Sequence, residues 1–260
     1  MNNIETIKVL GCTSPYCKGS SNCPGYLFSY DEGNILLDCG PGISRMFKMP
    51  EDLFNLSIII SHLHKDHYTE LFLLGYASFC YHRLGMLDER IDVYIPKMNP
   101  DENGYDDYRL ILDNKENYFN IVTYDPNSVI KIKAAEVSFC KNHHSVKAYS
   151  TKIHTSKSTI VYTGDMGFKS SDAFIPFCQN ADLLICEATY LSSDNVVDEN
   201  HLHAHEAGLL AKNSNVKILL LTHFWPEHNK EEYVAEAREI FPNVYAAFEG
   251  MQISVGVSVL

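Results

Sequence analysis

The feature that most constrains the fold is a nearly apolar segment that runs directly into a histidine-rich loop. Residues 56–60 read Leu-Ser-Ile-Ile-Ile, which predicts a strand buried on both faces. The loop that follows is Ser61-His62-Leu63-His64-Lys65-Asp66-His67. Side chains alternate along an extended chain, so His62 and His64 lie on one side and can bind one cation. Asp66 and His67, where the chain turns into a helix, can reach a second cation, which predicts a two-metal site for hydrolytic chemistry.

Three further positions offer ligands, and each lies beside a strand-like segment. They are His143-His144, Gly164-Asp165 and Thr222-His223. An aspartate can bridge two metals with its two oxygens, and imidazoles complete each coordination shell. The residues alone leave open which member of the 143–144 pair is the ligand.

Composition and charge restrict the partners. The chain has 260 residues and a formal charge of 21 − 33 = −12, so a broad basic surface for long nucleic acid is not expected. The first residues carry no basic start followed by an apolar run, and no apolar stretch has the length of a membrane span. We therefore predict a cytoplasmic protein without a membrane partner.

Three of the eight cysteines are close in sequence and are candidates for an alternative metal site. Cys12, Cys17 and Cys23 could bind a structural zinc, but no Cys-x-x-Cys pair and no nearby histidine accompany them. In the cytosol thiols stay reduced, so no disulfide is predicted. Whether these cysteines bind anything stays open at the level of the sequence.

The pattern of strands and helices predicts one α/β domain over residues 1–260, with two sheets packed together and helices outside. Each half of the chain is rich in strands and finishes in alternating strands and helices. Predicted strands lie at 7–10, 26–29, 35–38, 56–60, 91–95, 129–132, 136–141, 147–154, 159–163, 183–187, 216–222 and 244–246. Predicted helices lie at 66–84, 105–118, 205–213 and 231–240.

These motifs together resemble the metallo-β-lactamase-fold hydrolases over nearly the whole chain. The resemblance runs from Leu10-Gly11, through Leu36-Leu37-Asp38-Cys39-Gly40-Pro41-Gly42 and the histidine loop, to Thr222-His223-Phe224. Glu187-Ala188-Thr189 and the segment from His201 to Gly208 are most similar to the RNase Z-like phosphodiesterase branch. The resemblance implies a four-layer αβ/βα sandwich with the site at one edge of its two sheets.

The resemblance also implies a ligand set for two zinc ions, with Mn²⁺ or Fe²⁺ as alternatives. One ion would be bound by His62, His64 and His144, which we call the first set. The other would be bound by Asp66, His67 and His223, which we call the second set. Asp165 would bridge the two ions. His144 is chosen over His143 because the residues after it match the family spacing.

Three catalytic roles follow from the same resemblance. Asp66 would orient a metal-bridging hydroxide that attacks phosphorus. His201 would protonate the leaving oxygen, and Glu187 would hold the His201 ring in the required tautomer. The alignment with Ala204 and Ala207 favours His201, and His203 is its alternative.

The predicted function is hydrolysis of a small phosphodiester, such as a cyclic nucleotide or a short oligonucleotide. Asp165 stands where zinc β-lactamases usually have Cys, and His64 where redox di-iron relatives usually have Glu. A thioesterase or lactonase would keep the same ligands and is one alternative. An RNase Z-like tRNA 3′ endonuclease is another, but only residues 166–182 stand where such enzymes usually carry an RNA-gripping arm. A non-catalytic metal-binding module is the third, and a homodimer is implied by resemblance alone.

Overall fold

A computed structural model describes residues 4–114 and 118–256 of the chain. The strands are β1 (Glu5–Gly11), β2 (Gly25–Tyr30), β3 (Gly33–Leu37), β4 (Leu56–Ile59), β5 (Ile91–Pro96), β6 (Phe119–Tyr124), β7 (Val129–Ile132), β8 (Ala135–Lys141), β9 (Tyr149–His154), β10 (Thr159–Tyr162), β11 (Leu183–Glu187), β12 (Ile218–Thr222), β13 (Val244–Ala246) and β14 (Gln252–Val255). The helices are α1 (Lys65–Tyr68), α2 (Leu71–Arg83), α3 (Tyr105–Asp113), α4 (Ser171–Cys178), α5 (Ala204–Asn213) and α6 (Lys230–Arg238).

The strands form two mixed sheets with the same plan. The first sheet has the order β14-β1-β2-β3-β4-β5-β6, and the second has the order β13-β12-β11-β10-β9-β8-β7. In the first sheet β3, β4, β5 and β6 are parallel neighbours. In the second sheet β10, β11, β12 and β13 are parallel neighbours. Parallel strands need helical crossovers, which explains why the helices follow the parallel parts of both sheets.

Alternation along the strands divides the apolar side chains between two cores. In β3, Ile35 joins the core between the sheets, whereas Leu36 joins the core beneath α1, α2 and α3. Ile58 and Ile59 of β4 divide in the same way, which is why the segment after Asn55 is apolar on both faces. Helices α4, α5 and α6 pack on the second sheet. The prediction of two packed sheets with helices on both outer faces is confirmed.

Two buried tyrosine hydroxyls cross the interface between the sheets in opposite directions. Tyr26 of the first sheet forms a hydrogen bond with the Thr222 hydroxyl of the second. Tyr162 of the second sheet donates to the Asp38 carboxylate of the first at 2.6 Å. Their ring centroids are 5.0 Å apart, and both residues are almost fully buried. These polar contacts tie the sheets together beside the ends of β3 and β12.

The predicted helix 66–84 is wrong in one respect, because it is two helices. The backbone between α1 and α2 pairs with the loop after β3: the Cys39 N–H donates to the His67 carbonyl at 2.7 Å, and the Glu70 N–H donates to the Cys39 carbonyl at 3.0 Å. This pairing replaces helical hydrogen bonds and holds the histidine loop against the first sheet.

Three elements were not predicted from the pattern, namely β6, α4 and β14. Strands β6 and β14 are edge strands with several exposed side chains, so their apolar signal is weak. Helix α3 ends at Asp113 rather than at 118, and residues 115–117 lie outside the described part of the chain. Within the described ranges, the structure has no helix with the length and apolar character of a membrane span.

We expect Tyr162→Phe to lower the free energy of unfolding by about 1–3 kcal/mol, because the buried Asp38 carboxylate loses one of its donors. Urea unfolding monitored by circular dichroism measures the change. Tyr245→Phe is the matched control, since Tyr245 is 48% exposed on β13 and should change the stability by less than about 0.5 kcal/mol. Equal stability of the two variants would contradict a structural role for the Tyr162 hydroxyl.

Candidate metal centre

The ligand-type side chains converge because they follow strands that end at one edge of the sandwich. His62 and His64 follow β4, and His144 follows β8. Asp165 follows β10, and His223 follows β12. The second-sheet strands β8, β10 and β12 run in the same direction, so their carboxyl ends reach the same edge. The fold thus collects all seven predicted ligands in one place.

The first set lies around one oxygen of Asp165. His62 Nε2 is 3.4 Å from Asp165 Oδ2, and His144 Nε2 is 3.8 Å from the same oxygen. His64 Nδ1 is 3.1 Å from His144 Nε2. Ligand atoms of these four residues lie within 4.8 Å of one another, as a single bound cation requires.

The second set lies around the other oxygen of Asp165. His67 Nε2 is 3.3 Å and His223 Nε2 is 3.0 Å from Asp165 Oδ1. The Asp66 Oδ2 atom is 3.5 Å from His67 Nε2 and 3.8 Å from His223 Nε2. The Asp165 carboxylate therefore faces both sets, with one oxygen toward each.

Backbone conformation brings the two sheets' loops this close. Gly164 has φ +58°, and a Cβ added there would lie 2.7 Å from the Ser61 Cβ, so only glycine fits between the loops. His223 has φ +63°, a conformation that non-glycine residues adopt at a cost. Backbone hydrogen bonds of Phe224 with Cys12 and Ser14 hold His223 in that conformation.

The histidines are oriented by acceptors on the ring nitrogen that faces away from the centre. His67 Nδ1 donates to Asp38 at 2.7 Å, and His144 Nδ1 donates to the Asn200 carbonyl at 3.0 Å. His223 Nδ1 lies 2.8 Å from the Thr189 hydroxyl, and His62 Nδ1 lies 3.0 Å from the Ser61 hydroxyl. Each of these rings consequently turns Nε2 inward, whereas His64 turns Nδ1 inward.

The arrangement fits a divalent metal. His62 Nε2 and Asp165 Oδ1 are buried, and the nitrogen and oxygen atoms 3.0–3.4 Å from them among the described residues do not meet them with hydrogen-bond geometry. Unpaired buried polar atoms are costly, so their convergence indicates that a cation satisfies them. Imidazole and carboxylate ligands suit zinc and other first-row divalent ions.

Electrostatics also favour cation binding. Burial lowers the pKa of His62, His64 and His144 to about 4, so the first set is neutral and able to bind metal at neutral pH. Burial alone would lower the pKa of His67, but three carboxylates, with that of Asp165 foremost, raise it well above its ordinary value. The second set thus lies in a field that favours added positive charge.

The buried Glu187 and the partly exposed His201 form a pair beside this centre. Glu187 is the last residue of β11, and its Oε1 accepts from His201 Nδ1 at 3.1 Å. His201 Nδ1 is 4.0 Å from Asp165 Oδ2, and the His201 ring stacks on that of His223 with centroids 5.4 Å apart. Burial alone would lower the pKa of His201, but the Glu187 carboxylate raises it to about 10.

His203 takes a different position from His201. It is the residue that precedes α5, its Nδ1 lies 3.3 Å from Glu206, and its Nε2 donates to the Val196 carbonyl at 3.1 Å. His203 is therefore directed toward the helix terminus and not toward Asp165. His143 is also separate from the centre, since its Nε2 lies 3.8 Å from the Glu199 carboxylate at the surface.

The cysteines do not assemble into a site. Cys17 and Cys23 lie with their sulfurs 3.6 Å apart, whereas the Cys12 sulfur contacts Lys230 and the Ala247 carbonyl. Within residues 4–114 and 118–256, no group of three candidate metal ligands includes a cysteine. The alternative of a structural zinc on these residues finds no geometric support there.

Several residues that position the ligands were not assigned from the sequence. Asp38 is fully buried and accepts hydrogen bonds from the Ser61 backbone, the Ser61 hydroxyl, His67 and Tyr162. Ser14 donates to Asp66 Oδ2 at 2.7 Å. The sequence could have indicated the role of Asp38, because it is an acid directly after an apolar strand. It could not have indicated the role of Ser14, which is distant in sequence from every ligand.

The centre opens into a cavity of about 460 Å³. Asp66, Asp165, His201 and His223 line its inner end. Its other lining residues are Ser14, Pro15, Leu63, His64, Lys65, Gly104, Asp107 and Val146. The exposed Lys65 side chain and the partly exposed Asp107 side chain mark its mouth.

We expect Asp38→Asn to weaken metal binding by the second set about tenfold to a hundredfold, because asparagine has no charge and only one acceptor oxygen for the four donors that Asp38 binds. Competition titration with a chromogenic chelator measures the two binding steps separately. The first set should be affected less. Asp88→Asn, at an exposed acid, is the matched control, and a similar loss in that variant would contradict a specific role for Asp38.

Comparisons with known proteins identify the family of the chain. The family model described as the beta-lactamase superfamily domain matches residues 33–224. A probable metallo-hydrolase of Bacillus subtilis, YhfI, is 27% identical over 90% of this chain and 93% of its own length. A ribonuclease Z of Chlamydia trachomatis is 29% identical over 94% of this chain and 95% of its own length.

Solved structures show the same fold. The crystal structure of YhfI from Bacillus subtilis has a TM-score of 0.87 at 27% identity, covering 96% of this chain and 99% of that one. The short form of human tRNase Z has a TM-score of 0.70 at 21% identity, covering 97% of this chain and 100% of that one. The chain belongs to the beta-lactamase superfamily and is a metallo-hydrolase of that family.

Proposed function

We propose that the protein is a dinuclear zinc-dependent phosphodiesterase that acts on a small phosphodiester. The observation that carries the proposal is the Glu187–His201 pair, which lies against Asp165 and His223 at the inner end of the cavity. A proton donor beside two sets of metal ligands is what cleavage of a phosphate ester with a poor leaving group requires.

The first set, the second set and Asp165 would hold the two ions. When bound, two such ions acidify a shared water and neutralise charge on the phosphoryl oxygens. Asp66 accepts from Ser14 at 2.7 Å, which fixes the carboxylate at the cavity wall, where it would orient the attacking water. Mn²⁺ and Fe²⁺ satisfy the same ligand types and are alternatives to zinc.

His201 supplies the proton to the leaving oxygen. Its Nδ1 is bound to Glu187, so its Nε2 carries the transferable proton. Glu187 is itself fixed by the Met166 and Leu202 N–H groups and by the Thr189 hydroxyl. This network holds the ring in one orientation, and the Glu187 carboxylate raises the pKa of His201, which favours the protonated form.

The segment 166–182 and the net charge of the chain favour a small substrate over transfer RNA. Residues 166–182 contain a short 3-10 helix at Phe168–Ser170 and α4, which packs on β8 and β9, so this segment does not project as an arm. The net charge of −12 also opposes binding of a long polyanion. RNA processing is the second candidate, supported by the similarity to ribonuclease Z.

We expect His201→Ala to reduce hydrolysis of a phosphodiester with an alkoxide leaving group, such as a dinucleotide, about a hundredfold or more, because the leaving oxygen loses its proton donor. The loss should be smaller with bis(p-nitrophenyl) phosphate, whose leaving group is already a stable anion. Metal analysis should still find about two zinc ions per chain. His203→Ala is the matched control, and it should lose far less activity because His203 is directed away from Asp165. The reverse ranking would assign the role to His203.

A panel of substrates separates the remaining alternatives. The phosphodiester should be hydrolysed faster than a thioester, a lactone or a tRNA precursor with a 3′ trailer. A preference for the thioester or lactone would support that class of metallo-hydrolase. Two bound metals without hydrolysis of any ester would support a non-catalytic module. The cytoplasmic location and the homodimer stay predictions.

A further inference from the structure

We propose that Lys65 and Asp107 form a charge-neutral pair at the cavity mouth that selects substrates with a singly charged phosphodiester over doubly charged phosphate groups. This inference rests on the proposed function and names the substrate charge that the site accepts. Lys65 Nζ lies 3.1 Å from Asp107 Oδ1, and both residues line the cavity. Lys65 is the only lysine or arginine among the residues described around this cavity.

Asp107 is held at the mouth by contacts with the same helix that carries two ligands. The Tyr68 hydroxyl of α1 donates to Asp107 Oδ1, and Tyr68 itself is buried. Asp107 lies in the first turn of α3, which begins after Gly104 with φ +93°. Its side chain is 23% exposed, whereas that of Lys65 is 75% exposed, so the carboxylate is the fixed partner and the ammonium the mobile one.

The pair determines the charge that the cavity wall presents. A doubly charged phosphate monoester is usually bound with additional Lys or Arg side chains that contact its oxygens. Here Asp107 neutralises Lys65, and Glu187 neutralises the protonated His201, so the wall adds no net positive charge to the centre. A phosphodiester needs less compensation, because it carries one negative charge and presents carbon-rich groups on both sides.

The apolar residues of the cavity lining suit those carbon-rich groups. They are Pro15, Leu63 and Val146. A nucleoside or another ring-bearing substituent of the diester can lie against this surface while the phosphate occupies the inner end. The expected substrate is therefore a monoanionic diester with at least one bulky, partly apolar ester group.

The test compares charge variants on two substrates at pH 8. For each variant, kcat/KM is measured with p-nitrophenyl phosphate, a dianion, and with bis(p-nitrophenyl) phosphate, a monoanion. Asp107→Asn frees Lys65 and should raise the monoester-to-diester ratio about threefold to tenfold, the effect of one unit charge across a hydrated cleft. Lys65→Met should lower that ratio by a similar factor. Both changes should shrink in high salt.

A binding measurement avoids dependence on turnover. Calorimetric titration of the metal-loaded protein with inorganic phosphate should show tighter binding by Asp107→Asn and weaker binding by Lys65→Met, by the same factors. Asp106→Asn is the matched control: it has the same charge change on the same helix turn, but Asp106 is exposed and does not line the cavity. In Asp106→Asn, the monoester-to-diester ratio of kcat/KM and the affinity for phosphate should each change less than twofold.

The outcomes distinguish the two proposals. If the unmodified protein hydrolyses no phosphodiester, the proposed function fails, and the phosphate titrations still report on the charge pair. If the diester is hydrolysed but Asp107→Asn behaves like Asp106→Asn in both assays, the selective role of the pair is overturned. Lys65→Met is an independent test of the charge pair, because the exposed Lys65 side chain can be replaced without disturbing the packing under α3.

Discussion

The organisation of this protein depends on a single buried carboxylate, that of Asp165. One of its oxygens faces three imidazoles that follow strands of both sheets, and the other faces His67 and His223. Imidazoles of both sets hold its pKa well below the usual range of a carboxyl group, so it is ionised despite burial. An ionised group in such a place requires compensating positive charge, which explains why the surrounding structure converges on a cation site.

A second layer of polar contacts makes that convergence rigid. Asp38 connects His67 to Ser61 of the histidine loop and to Tyr162 of the opposite sheet. Thr189 connects the ring of His223 to Glu187, and thereby the second set to the candidate proton donor. Because each of these groups is buried and paired, loosening one bond displaces several ligands together. The binding centre and the packing of the two sheets are thus parts of one network.

Much of this arrangement was predictable from local pattern. The apolar segment before Ser61 predicts a strand buried on both faces, and β4 is buried along its whole length. Histidine and aspartate at the ends of such strands predict convergence, because parallel strands end at one edge of a sheet. Strands β6 and β14 were not predicted, because edge strands expose half of their side chains and their apolar pattern is weak. The interruption between α1 and α2 was not predicted, because it depends on hydrogen bonds with Cys39, which is distant in sequence.

The sequence by itself determined the class of fold, the candidate ligand types and the neighbourhood of the histidine loop, because these depend on periodicity and on residues only a few positions apart. Tertiary structure alone decided which distant groups meet. It places His201 rather than His203 beside Asp165, makes Ser14 a partner of Asp66, and brings Asp107 of α3 against Lys65 at the cavity mouth. The physical reason is that such contacts are set by the packing of two sheets and by backbone conformations such as that of Gly164, which no local pattern of apolar and polar residues records.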